Sequence, residues 1–152
     1  MAGRTVRPVT RVPAFWDASA LVPLCVRQSL TPQAISLYKT YDAVVWWATP
    51  VEIASALARL MRISQLNPHD WAKASKLANG LAGRWSVIQP SDAIRATSMQ
   101  LVDRYDLRAA DSFQLAAALE WSEYAPHGFI FLTTDQKLRD AALLSGFDAK
   151  RI

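Results

Sequence analysis

Short continuous apolar runs alternate along the chain with longer stretches in which apolar residues recur at helical spacing. Val12 to Trp16 is apolar and aromatic and ends at Asp17. Ser19 to Val26 reads as a short helix, and Thr31-Pro32 opens another through Lys39. Ala43 to Trp47 is a second strand-like run, rich in β-branched and aromatic residues. Thr49-Pro50 starts a helix to about Ile63, and Asn67-Pro68 starts the next to about Ala82, closed by Gly80 or Gly83. Trp85 to Ile88 is a third strand, Ser91 to about Tyr105 and Ala110 to about Tyr124 are helices, and Phe129 to Leu132 is a fourth strand. A helix from Asp135 to about Leu144 precedes Gly146 and a short ending.

Strands alternating with helices of ten or more residues imply a parallel α/β sheet. The strands are uniformly apolar, as expected when helices cover both faces. In such sheets ligands bind beyond the carboxyl ends of the strands, so chemistry is expected there. The chain has 152 residues, one domain of ordinary size, with no repeat and no internal linker. Half the residues are hydrophobic, enough for a substantial core. Met1 to Arg11 carries three arginines and no apolar stretch, and is expected to be a flexible basic tail ahead of a single domain over residues 12–152. No apolar run approaches the roughly 20 residues of a membrane helix. Cys25, the lone cysteine, excludes an internal disulfide and fits a reducing, cytoplasmic setting. The net charge of +4 hints at a polyanionic partner.

The acids are unusual in kind: ten Asp against three Glu. Asp favours turns, helix starts and metal sites. Asp17 follows the first strand, Glu52 follows the second within Thr49-Pro50-Val51-Glu52, and Asp135 follows the fourth. Asp111 opens the helix that runs through Gln114 and Leu115. Each acid taken singly is explained by helix capping. Thr49 with Glu52 and Thr133 with Gln136 have capping-box spacing, Asp111 with Gln114 resembles an N-cap pair, and Asp17 is placed to cap the helix at Ser19. Taken together they read differently. A parallel sheet gathers strand ends at one edge, and several carboxylates held there raise one another's pKa unless something compensates. A hard divalent cation, Mg²⁺ or Mn²⁺, compensates directly. His69 and His127 lie in turn-like contexts, which disfavours zinc.

The segments bearing these acids resemble the PIN domain family, and in particular VapC-like ribonuclease toxins of type II toxin–antitoxin systems. Asp17-Ala18-Ser19-Ala20-Leu21 resembles the first motif of that family, and Glu52 in Val51-Glu52-Ile53-Ala54 the second acid. Asp111 in Ala110-Asp111-Ser112-Phe113-Gln114-Leu115-Ala116 resembles the third, and Asp135 in Leu132-Thr133-Thr134-Asp135 the fourth. The similarity spans the chain after its N-terminal segment, which the family usually lacks; Pro13 and two rings in the first strand also depart from its plain aliphatic pattern. The resemblance implies a three-layer α/β/α sandwich around a mostly parallel sheet of four to five strands. It also implies an endonuclease using Mg²⁺ or Mn²⁺, a VapB-like antitoxin and a homodimer.

On this reading Asp17 and Asp111 are the leading metal ligands with Asp135 close, and Glu52 holds the attacking water or meets the ion through water. Ser19 and Thr133 hold the ligands from behind, and Arg59 and Arg108 are the candidate phosphate contacts. Trp16, Trp46 and Trp47 are expected to pack the core rather than stack on bases. A phospho-accepting receiver domain wants adjacent acids near the first strand, and a haloacid-dehalogenase-like phosphatase wants a second Asp at position 19; both are disfavoured. A housekeeping RNA-processing nuclease and a catalytically silent binding module stay open.

Overall fold

The computed structural model describes residues 11–152. The expected N-terminal tail therefore lies outside the described residues except for Arg11, which donates to the Tyr38 carbonyl at 3.0 Å and pairs with Asp42 at 3.4 Å. The elements follow in the order β1 (Val12–Trp16), α1 (Ala18–Cys25), α2 (Thr31–Thr40), β2 (Tyr41–Trp46), α3 (Thr49–Arg62) and α4 (Pro68–Ala82). They continue with β3 (Ser86–Ile88), α5 (Asp92–Tyr105), α6 (Ala109–Trp121), β4 (Ile130–Thr133), α7 (Gln136–Ser145) and β5 (Asp148–Arg151).

The five strands form one sheet in the order β3-β2-β1-β4-β5, and every pairing is parallel. The chain begins in the middle of the sheet, winds to one edge through β2 and β3, then crosses back to build the other side with β4 and β5. The reversal falls between β1 and β4, where Trp16 pairs with Leu132. Strand order splits there, so the crossovers diverge and leave a crevice above the carboxyl ends.

Alternation along each strand divides the interior into two cores. Phe15, Val44, Trp46, Phe131 and Ala149 point into one core, with side chains of α5, α6 and α7. Ala14, Trp16, Ala43, Val45 and Leu132 point into the other, with side chains of α1, α3 and α4. The result is the expected three-layer α/β/α sandwich. Rings fill much of the first core: Phe131 stacks on Phe15 with centroids 5.3 Å apart and meets Phe147 at 5.7 Å.

One sequence reading needs correction and another is narrowed. The short ending after Gly146 is a strand: Asp148 to Arg151 pairs along Ile130 to Thr133. Its polar composition hid it, since at a sheet edge only Ala149 needs to face the core while charged neighbours guard the open side. Gly80 lies inside α4, and it is Gly83 that closes the helix as its C-cap, with a right-handed rather than a left-handed backbone. Gly146 closes α7 with a left-handed one, at φ 109°, a conformation that L side chains rarely adopt.

Candidate active site

Asp17 is the first residue beyond β1, and its N–H continues the strand ladder by donating to the Leu132 carbonyl at 3.0 Å. Its carboxylate therefore hangs at the reversal point of the sheet, and only 4 % of the residue is exposed. Two hydroxyls hold it. Ser19 donates to Asp17 Oδ2, and Thr133 donates to the same oxygen at 2.9 Å. Each hydroxyl is fixed in turn by an amide: the N–H of Thr134 donates to Ser19 at 3.0 Å, and the N–H of Asp135 donates to Thr133 at 3.0 Å. The loop after β4 thus orients the acid after β1. Burial nonetheless raises the Asp17 pKa above the ordinary carboxylate value, with the two hydroxyl bonds opposing the rise.

Glu52 lies in the first turn of α3. It accepts a 2.6 Å hydrogen bond from Gln114 Nε2, which also reaches the Thr49 hydroxyl at 3.2 Å. Burial and then the charge of Asp17 push its pKa up to about 7; Asp111 adds to the rise and the Gln114 bond opposes it. Asp111, in the first turn of α6, is pushed up to about 6 by burial and by Asp17 and Asp135, against the pull of Arg108 and Lys137. Asp135 caps α7 by accepting from the Leu138 N–H at 2.7 Å. Asp17 acts on both Glu52 and Asp111, so it is the electrostatic centre of the set. Among the described residues, none of the four acids has a salt bridge within 4.0 Å.

The capping readings therefore divide. Asp135 does cap its helix, whereas the N-cap of α3 is Ala48, and its Thr49 and Glu52 both turn to Gln114. The N-cap of α6 is Arg108, so Asp111 and Gln114 are not a capping pair. Thr133 serves Asp17 and Asp135 rather than a capping box with Gln136.

Gln114 was not expected at the site. Its signal was present: one fully buried polar residue in the run Phe113 to Ala118, one helical turn after Asp111 and so on the same face. Lys137 also stands at the site: it lowers the pKa of Asp111 and pairs with Asp106 at 2.7 Å. Arg59 stands on the exposed side of α3 seven residues beyond Glu52, roughly 10 Å along the helix axis. It borders a hollow with Val22, Gln28 and Ile63, apart from the acids. Trp16 and Trp46 are buried as expected, but Trp47 is 55 % exposed, contrary to its placement in the core.

The four side chains offer only oxygen donors, and Arg108 and Lys137 offset only part of their negative charge, a combination that suits a hard cation. No three His, Cys, Asp or Glu side chains among the described residues converge closely enough to enclose one.

A stability consequence follows for the metal-free protein. Glu52 and Asp111 carry raised pKa values in the fold, so folding takes up protons between the ordinary values of 4.5 and 3.8 and the shifted values of about 7 and about 6. Stability should therefore fall as pH rises through this window and level off above it. Melting curves in EDTA at about pH 5 and about pH 8 check this: a higher melting temperature at the alkaline end would contradict the repulsion described here.

No family model matches the chain, and no curated protein does. Solved structures do share its fold. A toxin–antitoxin complex from Klebsiella pneumoniae aligns with a TM-score of 0.60 at 16 % identity, covering 82 % of this chain and 88 % of that one. PAE2754 from Pyrobaculum aerophilum aligns at 0.62 and 20 % identity, covering 93 % and 92 %. FitAcB from Neisseria gonorrhoeae aligns at 0.60 and 18 % identity, covering 88 % and 96 %. The chain is thus similar in fold to these proteins over most of its length and most of theirs.

Proposed function

We propose that this PIN-like chain is a metal-dependent endoribonuclease acting as the toxin of a toxin–antitoxin pair. The observation that carries the nuclease reading is the buried, hydroxyl-held Asp17 at the sheet reversal, whose charge acts on both Glu52 and Asp111, with Asp135 acting on Asp111 in turn. Stability alone gives no reason for that arrangement; a reaction on a phosphodiester does. Similarity in fold to a toxin–antitoxin complex supports the toxin reading.

Asp17, Asp111 and Asp135 would hold Mg²⁺, or Mn²⁺ in its place, with Glu52 beside them. When bound, the ion supplies Lewis-acid polarisation of the phosphate and a more acidic water. The remaining chemistry belongs to the chain. Ser19 and Thr133 fix the Asp17 carboxylate in one orientation, so little rearrangement is needed when substrate arrives. Gln114 fixes Glu52, whose pKa near 7 suits a base that takes the proton of the attacking water. Oxygen adds to phosphorus, one ester bond breaks, and the departing oxygen leaves with a proton. Arg108 and Lys137, which already offset the charge of Asp111, would draw the RNA backbone toward the acids. Arg59 is a more distant phosphate contact. The same reading includes a homodimer, a VapB-like antitoxin covering the site, and action in the cytoplasm. Among the described residues no helix is long and apolar enough to cross a membrane.

The test is incubation of the purified chain, free of partners, with total RNA in Mg²⁺, Mn²⁺ or EDTA. Discrete cleavage in the metal arms alone is expected. Arg108→Ala should weaken RNA binding and lower the slope of log affinity against log salt by about one unit. Undiminished cleavage in EDTA would remove the metal from the mechanism. No cleavage by a folded protein in any arm would leave a binding module with the same fold.

A further inference from the structure

On the carboxyl edge of the sheet, past β2 as Asp17 is past the neighbouring β1, lies an aromatic hollow that the hydrolytic machinery does not use. Trp47 stands just past β2, tied to the sheet by its N–H to the Ile88 carbonyl at 3.1 Å, yet its ring projects into solvent. Across from it Trp46 and Phe113 stack face to face, with centroids 5.6 Å apart and planes 3° from parallel. Pro90, Ser91 and Arg95 complete an open hollow of about 660 Å³, within the ~300–1,000 Å³ range of small-ligand clefts. Its walls come from the segment after β2 and from the starts of α5 and α6, so it opens at the same carboxyl edge of the sheet as Asp17, although none of the four acids lines it.

We infer that this hollow is a nucleobase subsite, in which an unpaired base flanking the cleaved phosphate stacks on Trp47. The inference rests on the ribonuclease reading above and gives it a substrate class, single-stranded RNA. A base in a duplex keeps its faces stacked on its neighbours, whereas an unpaired base has a face to offer an aromatic ring. Apart from Asp92 and Arg95, the walls that a base would meet are aromatic, apolar or a small hydroxyl. The one cation, Arg95, sits at the rim paired with Asp92 at 3.0 Å, free to exchange that exposed partner for a phosphate. Few polar groups face a base edge, so the subsite selects for an unpaired base more than for its identity.

The experiment uses the full chain carrying Asp17→Asn, to suppress cleavage, titrated with a short unpaired RNA and with a ribose-phosphate oligomer of equal length lacking bases. Trp47→Ala should weaken binding of the RNA about tenfold, Trp47→Phe should restore most of that loss, and the baseless oligomer should bind all three proteins equally. Sedimentation of each variant is measured alongside. Equal weakening for both oligomers, or none for either, overturns the subsite while leaving the nuclease reading intact. Conversion of a dimer to a monomer by Trp47→Ala, with RNA affinity unchanged, assigns the hollow to a second copy of the chain and also overturns it. Failure of the unpaired RNA to bind any of the proteins overturns the subsite and the ribonuclease reading together.

Discussion

Asp17→Asn should reduce RNA cleavage by at least roughly 100-fold, above the ~10–100-fold typical when only an outer partner of a metal ligand is lost. It should do so without loss of stability. The amide oxygen can still accept the Ser19 and Thr133 hydroxyls that now hold Oδ2. The substitution also removes a charge that burial disfavours and that raises the pKa of both Glu52 and Asp111. Above neutral pH the metal-free variant should therefore melt at or above the wild-type temperature. A site that trades stability for charge placement behaves this way. Cleavage assays and melting curves on the same preparation check both halves. A folded variant with near-normal cleavage would remove Asp17 from the reaction, and a clear drop in melting temperature would mean that the carboxylate serves the fold.

Phe131→Ala should do the reverse, unfolding the protein without touching the chemistry directly. Phe131 is fully buried between Phe15 and Phe147 on the strand that delivers Thr133 and Asp135. Truncating a buried phenylalanine costs about 3–5 kcal/mol, a large share of the ~5–15 kcal/mol that stabilises a typical domain. The melting temperature should fall by about 10 °C or more. Denaturant titration gives the energy directly; a loss under about 1 kcal/mol would mean that neighbouring side chains close the gap and that this cluster does not anchor β4.

The contrast between these two residues also shows what a sequence can reveal. Phe131 and Phe15 were legible because a central parallel strand is buried on both faces and must be apolar throughout. The last strand, Asp148 to Arg151, was not, because an edge strand with a single inward alanine has no such requirement. The acids were legible as a set, since strand ends of a parallel sheet converge. Their partners were less so. Which acid caps a helix depends on where the helix begins to within one residue, and the start of α6 at Ala109 rather than Asp111 turned a capping pair into two site residues. Gln114 bonds to Glu52 across 62 positions, a meeting fixed by tertiary packing alone. Trp47 was misplaced for a related reason: an aromatic residue ending an apolar run reads as core, and only the sheet geometry shows that the strand has already ended by Trp46.

The hydroxyl link from Thr133 to Asp17 joins positions 116 residues apart. A chain emerging from the ribosome cannot form it, or the β1–β4 pairing beneath it, until the residues of β4 have been made. Asp17 is made long before Thr133, and until then it lacks the hydroxyl that orients it from the end of β4. Non-local strand pairing of this kind is slow to form, and here the delay has a use. On the proposed nuclease reading, a nascent chain tethered among ribosomal and messenger RNA stays catalytically silent until β4 has been made and paired with β1.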